Sequence, residues 1–189
     1  MSYDHKHYDV DGYSCDVYDN LFNRSLRDKF YNFVIRSYFQ PSATDTLFIE
    51  HRHHISMASV YDRDDLMKLG LWDAIPEEIK TKHNMDLDHL THTLINLTTP
   101  GDVHHSHTDN YDSRNLTVLY YVNPEWNVEW GGDTLFLDQE TENIEFASQF
   151  KPGRLVVFDP RIPHLIRPST TLAPQYRFSI ALKFEYPNE

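Results

Sequence analysis

After about residue 88 the chain breaks into short stretches rich in β-branched and aromatic residues, each closed by a turn signal. That rhythm sharply limits what it can fold into. The stretches are Thr91–Leu97, Leu116–Val122, Thr134–Leu137, Arg154–Phe158, His164–Arg167 and Tyr176–Phe184. Between them stand Pro100-Gly101, Asn123-Pro124, Gly131-Gly132, Pro152-Gly153 and Asp159-Pro160, dipeptides that break regular structure. The last stretch alternates cleanly: Tyr176, Phe178, Ile180, Leu182 and Phe184 fall on one face, Arg177, Ser179, Ala181 and Lys183 on the other.

The first ninety residues read as mainly helical. Ser25 is placed to cap a helix whose apolar positions Leu26, Phe30, Phe33 and Val34 share one side, with Pro41 just beyond its end. A second helix is expected from Asp64 to Trp72, and Pro76-Glu77-Glu78 has the form of a third helix's first turn. Residues 46–60 fit either a strand or a loop. Helices followed by strands predict an α+β domain, with N-terminal helices packed on one face of an antiparallel sheet or barrel. A jelly roll is the expected closed form. No linker divides the chain, so residues 1–189 are expected to form one domain, with 1–87 as helical support and 88–189 as the β core.

Seventeen basic against twenty-nine acidic residues give a net charge of −12, which repels a phosphate backbone and argues against nucleic acid as a partner. A single cysteine, Cys15, excludes an intrachain disulfide framework. The polar, acidic N-terminus lacks the pattern of a secretory signal, and no apolar run is long enough to span a membrane. The expectation is a cytoplasmic protein, monomeric or homodimeric.

Twelve histidines invite position-by-position reading. In His107-Thr108-Asp109 the two outer side chains point the same way on an extended backbone, so both can reach one metal. His164 stands far downstream as a third donor. Two histidines and a carboxylate leave coordination positions open, as a non-haem Fe(II) oxygenase requires. Taken alone, His-x-Asp also fits a polar loop with a satisfied surface histidine. Arg177, with Ser179 beside it, can grip a carboxylate such as the distal one of 2-oxoglutarate; the bland reading is a solvent-facing polar row. His51, His53 and His54, and likewise His104 and His105, fit a polar loop and pocket wall better than a second metal site. His5 and His7 are expected in a frayed terminus. Trp126 and Trp130 fit a substrate groove or the covered end of a barrel equally well. Asn96-Leu-Thr and Asn115-Leu-Thr match the glycosylation pattern but carry little weight without a secretory signal.

As an ordered set, the motifs from Thr99 to Phe184 resemble the catalytic core of the Fe(II)/2-oxoglutarate dioxygenases, and especially their prolyl hydroxylase branch. The resemblance rests on Pro100-Gly101, His107-Thr-Asp109-Asn110, Thr117 through Asn123, Trp126, Gly131-Gly132-Asp133, Pro152 through Phe158, Pro163-His164, Pro168 and Arg177. It implies a double-stranded β-helix with His107, Asp109 and His164 as iron ligands. It implies that Arg177 and Tyr121 bind the C5 carboxylate of 2-oxoglutarate, with Ser179 supplying a further hydrogen bond, and that Arg114 lies near the substrate. The cofactors implied are Fe(II), 2-oxoglutarate and O2, with ascorbate as an optional addition. Asp109 argues against halogenation, because halogenases of this family carry a small residue there. Two departures stand out: Ala181 occupies a position that is threonine in some relatives, and Thr99 one that is tyrosine. The wider spacing from His164 to Arg177 suggests an inserted loop at residues 169–174.

The expected function is therefore hydroxylation of an unactivated C–H bond, of a peptidyl proline or an amino acid, with release of succinate and CO2. The alternatives are a small-molecule oxygenase on the same scaffold and a non-catalytic cupin-like metal-binding module. Arg177 beside an open metal site discriminates the enzymes from the module, since a mere binder needs neither.

Overall fold

The hairpin that opens the chain is built on Asp11-Gly12. Both residues have positive φ, 54° and 78°, the combination a two-residue turn needs to match the twist of its strands. The computed structural model describes residues 3–41, 57–102 and 104–187. β1 (Asp4–Val10) pairs antiparallel with β2 (Tyr13–Asp19), and β2 pairs in turn with β9 (Leu155–Phe158). The N-terminal region is thus not mainly helical, and His5 and His7 lie on a paired strand rather than a frayed end. Nearly all of β1 faces solvent, so its residues show no apolar alternation, and only the turn signalled it.

α1 (Arg24–Val34) is capped by Asn23, whose side-chain oxygen accepts from the Leu26 amide at 3.0 Å; Ser25 lies inside the helix. α2 (Arg63–Leu69) and α3 (Leu71–Ala74) replace the single expected helix, because Gly70 adopts φ 79° between them. α4 (Glu77–Lys82) follows Pro76. β3 (Gln40–Pro41) and β4 (Met57–Tyr61) flank residues outside the described set, where His51, His53 and His54 fall.

The remaining strands are β5 (Leu90–Thr98), β6 (Leu116–Tyr121), β7 (Thr134–Leu137), β8 (Ile144–Ser148), β10 (His164–Ile166) and β11 (Arg177–Phe184). They make two antiparallel sheets, a large one in the order β1-β2-β9-β6-β11-β5-β4-β3 and a small one in the order β10-β7-β8. The two faces of the large sheet have different partners. Ile95, Val118, Tyr120, Val157, Ile180 and Leu182 share one buried cluster with Phe30, Val34, Leu66, Leu69, Trp72 and Ile79. On the other side Val156, Leu119, Phe158 and Ala181 cluster with Phe136 of the small sheet and with Phe150. Each buried aromatic or aliphatic side chain contributes about 1.5–3 kcal/mol.

One ion-pair group ties the start of the fold to its middle. Asp19 accepts from Arg154 Nε and Nη2 at 2.8 and 2.9 Å and from Lys151 Nζ at 2.9 Å. Burial opposes its charge, but Arg154 and Lys151 outweigh that and hold its pKa below the usual value. Asp19→Asn should cost about 3 kcal/mol at pH 7, because it strands a largely buried guanidinium. A depressed carboxylate stabilises fully above its unfolded pKa, about 3.9, and loses that contribution as pH falls through the lower folded value. Urea titrations should therefore show the wild-type advantage constant from pH 7 to 5 and shrinking below pH 4.

Candidate metal centre and anion pocket

His107 and His164 are brought together by the backbone. Each donates its amide to the other's carbonyl, at 3.1 and 2.9 Å, in an isolated antiparallel bridge. The Asp109 amide donates to the Pro160 carbonyl at 2.9 Å, which pins the same extended segment. Both rings then take a defined tautomer. His107 Nδ1 lies 3.1 Å from the His105 carbonyl and His164 Nδ1 2.9 Å from that of Ile162. A carbonyl only accepts, so Nδ1 carries the proton and Nε2 keeps its lone pair.

The Nε2 atoms converge on Asp109. His107 Nε2 is 3.7 Å from Oδ1 and His164 Nε2 is 3.8 Å from Oδ2. Among the described residues these three form the group of donors with ligand atoms within 4.8 Å of one another. Such separations suit donors about 2.0–2.2 Å from a shared ion. Asp109 is itself oriented: Thr117 Oγ1 donates to Oδ2 at 2.8 Å and Lys183 Nζ to Oδ1 at 2.6 Å. Burial would raise its pKa, yet His164 and Lys183 bring it down to about 2. Burial lowers the pKa of His164. A carboxylate and a neutral imidazole are the forms a divalent cation needs.

A cavity of about 130 Å³ opens over this group, lined also by Asn96, His104, Leu119, Thr134, Phe158, Ile166 and Ala181. Arg177, Ser179 and Tyr121 lie beyond that lining. Across β11 and β6, Ser179 pairs with Tyr121, the next pair on the same face after the Ala181–Leu119 pair that lines the cavity. Arg177 is fully buried. Its Nε donates to the Gly132 carbonyl at 2.8 Å and its Nη1 to Ser179 Oγ at 3.2 Å. The guanidinium carbon sits 4.6 Å from the centre of the Phe150 ring and 5.4 Å from that of Tyr121. Nη2 is buried with no hydrogen-bond partner. Burial pushes this pKa down to about 10, so the group stays cationic at neutral pH. A buried cation with an unused donor suits an incoming carboxylate.

The other expected residues are placed as follows. The Tyr121 hydroxyl donates to Thr134 Oγ1 at 2.9 Å, so Thr134, not Tyr121, meets the cavity. Trp126 donates to the Gly131 carbonyl at 2.9 Å and packs on Phe150. It covers the Arg177 end of the sheets and does not line the cavity. Arg114 is exposed, pairs with Asp112 and donates to the Pro187 carbonyl, also away from the cavity. His104 lines the cavity wall while His105 does not. Thr117, Thr134 and Lys183 are the functional candidates that sequence reasoning passed over. Lys183 was legible as lying on the same strand face as Arg177, but nothing linked it to Asp109.

Residues 93–184 match the family model described as the 2OG-Fe(II) oxygenase superfamily. Over that stretch, slightly less than half of its length, the chain is similar to this superfamily. The chain is similar in structure to a prolyl hydroxylase from Trichoplax adhaerens, solved in complex with a hypoxia inducible factor oxygen degradation domain peptide. The two share 19% identity over 90% of this chain and 82% of that one, with a TM-score of 0.65. A Pseudomonas putida prolyl-4-hydroxylase matches with 17% identity, coverage of 92% and 93%, and a TM-score of 0.66. The epimerase SnoN from nogalamycin biosynthesis matches with 12% identity, coverage of 93% and 78%, and a TM-score of 0.62. At these identities the likeness is one of fold. No curated protein matches the chain in sequence.

Proposed function

We propose that the chain is a single-domain hydroxylase, a double-stranded β-helix that couples decarboxylation of 2-oxoglutarate to oxidation of an unactivated C–H bond, releasing succinate and CO2. The substrate is a peptidyl proline or an amino acid. The observation that carries the reading is Arg177, a fully buried cation with an unpartnered Nη2. It lies four positions along the same face of β11 from Ala181, which lines a cavity shared with three metal-type donors.

Fe(II), when bound, supplies activation of O2 in the open positions that two histidines and one carboxylate leave. His107 and His164 present Nε2 because their Nδ1 protons are committed to carbonyls. Thr117 and Lys183 hold the Asp109 carboxylate in a fixed plane, the supporting role that outer contacts play around metal ligands. Arg177 takes the C5 carboxylate of 2-oxoglutarate, kept in place by Gly132, Ser179 and Phe150. Leu119, Phe158 and Ile166 exclude water from the wall between. Among the described residues no helix is long and apolar enough to cross a membrane. A reducing cytoplasm suits a ferrous centre, and we place the protein there.

Reconstituted with Fe(II) in air, the protein should convert 2-oxoglutarate to succinate even without its substrate, slowly, and EDTA should stop the conversion. Absence of both succinate formation and 2-oxoglutarate binding with metal present would overturn the proposal.

A further inference from the structure

We propose that Lys183 determines substrate class, so that this oxygenase acts on a molecule presenting a negatively charged group, such as the free carboxylate of an amino acid, beside its C–H target. The inference rests on the reading above and narrows it.

Lys183 ends the row Arg177, Ser179, Ala181, Lys183 on one face of β11, of which Ala181 and Lys183 line the cavity, with Thr117 opposite Lys183 on β6. Its side chain is three-quarters buried, and Nζ donates to Asp109 Oδ1 at 2.6 Å. That contact uses one of the three N–H groups of an ammonium. Orienting Asp109 does not call for a cation, since Thr117 holds the other oxygen with a neutral hydroxyl. A positive charge beside a metal ligand also works against metal binding by like-charge repulsion. The ammonium is therefore best explained by something anionic that joins it in the loaded site.

Charge counting points the same way. A divalent ion with Asp109 carries one net positive charge, and Lys183 and Arg177 raise the total to three. Dianionic 2-oxoglutarate neutralises two of these. One positive charge remains about the site, and an uncompensated charge is costly in proportion to its burial. A monoanionic substrate removes it; a neutral peptidyl segment does not. With a neutral residue at position 183, the same count would favour a neutral substrate.

The test uses the full chain loaded with Zn(II), which is redox-inert, and with 2-oxoglutarate. Calorimetry would then measure binding of N-acetyl amino acids and their N-acetyl amino amides, matched in side chain. For the side chains that bind, the acid should bind at least about tenfold more tightly than the amide, the scale of one charge-assisted contact. Lys183→Met should bring each pair within about twofold. Equal affinities for acid and amide, or no binding by any acid, would overturn the inference. The comparison of acid with amide in the wild type needs no variant, so it stands even if Lys183→Met fails to fold. Failure of 2-oxoglutarate to bind the Zn(II)-loaded wild type is a separate result, and it removes the proposed function along with this inference.

Discussion

Asp109→Ala is expected to abolish Fe(II)-dependent succinate formation while the protein stays folded. The carboxylate is the only anionic donor of the three-residue group, and without it two neutral imidazoles must hold a divalent ion alone. The loss should appear in metal binding as well as turnover, as a Co(II) or Zn(II) affinity too weak to measure by calorimetry. The structural cost is small by comparison. Thr117 loses an acceptor at a nearly fully buried position, which costs about 1–2 kcal/mol. Lys183, a quarter exposed, can turn toward solvent. For a chain of this length the melting temperature should fall by no more than about 8 °C. Asp109→Asn keeps an oxygen for Thr117 and should recover part of that fall without restoring metal binding. Global unfolding of both variants would show that Asp109 serves the fold rather than the metal.

Arg177→Met separates binding from stability even more sharply. The apparent KM for 2-oxoglutarate should rise at least tenfold, from loss of a charge-assisted contact contributing about 1.5–3 kcal/mol. The kcat at saturating co-substrate should change far less. Stability should move little, or even rise. The guanidinium is fully buried and, among the described residues, forms no ion pair with a carboxylate. An unbranched apolar side chain of similar length between Phe150 and Tyr121 removes that penalty. A buried cation with no carboxylate partner and one unused donor is characteristic of a ligand site. An unchanged KM would refute the assignment of Arg177 to the co-substrate.

The β core was legible because its strands have two buried faces or one, and either leaves a pattern. The alternation of Arg177–Phe184 separated the side chains that pack with the helices from the row Arg177, Ser179, Ala181, Lys183, of which the last two line the cavity. Segments without buried faces were lost. β8 is exposed over most of its length, and β1 likewise, so no apolar period marked either strand. The break between α2 and α3 depended on one glycine taking a left-handed turn, which a run of helical spacing conceals. In the site, His107, Asp109 and His164 announced themselves by residue type. Thr117, Thr134 and Lys183 did not, because their importance comes from cross-strand register. Thr117 and Lys183 sit sixty-six positions apart in sequence and directly opposite in space. A bland threonine becomes informative only once its neighbour across the ladder is known.

The donor group also has a mechanical meaning. His164 belongs to β10 of the small sheet, whereas Asp109 is gripped by Thr117 and Lys183 from the large one. An ion held by both residues is a rivet through the two layers at the mouth of the sandwich. Spreading the layers would tear the ion from its ligands, and releasing the ion would free the layers to part. Resistance to unfolding then ceases to be a constant of the sequence and follows the free metal concentration, gaining about 2.7 kcal/mol at one hundred times the dissociation constant. The amides of β10 and of the His107 segment should be the first to report the difference by hydrogen exchange.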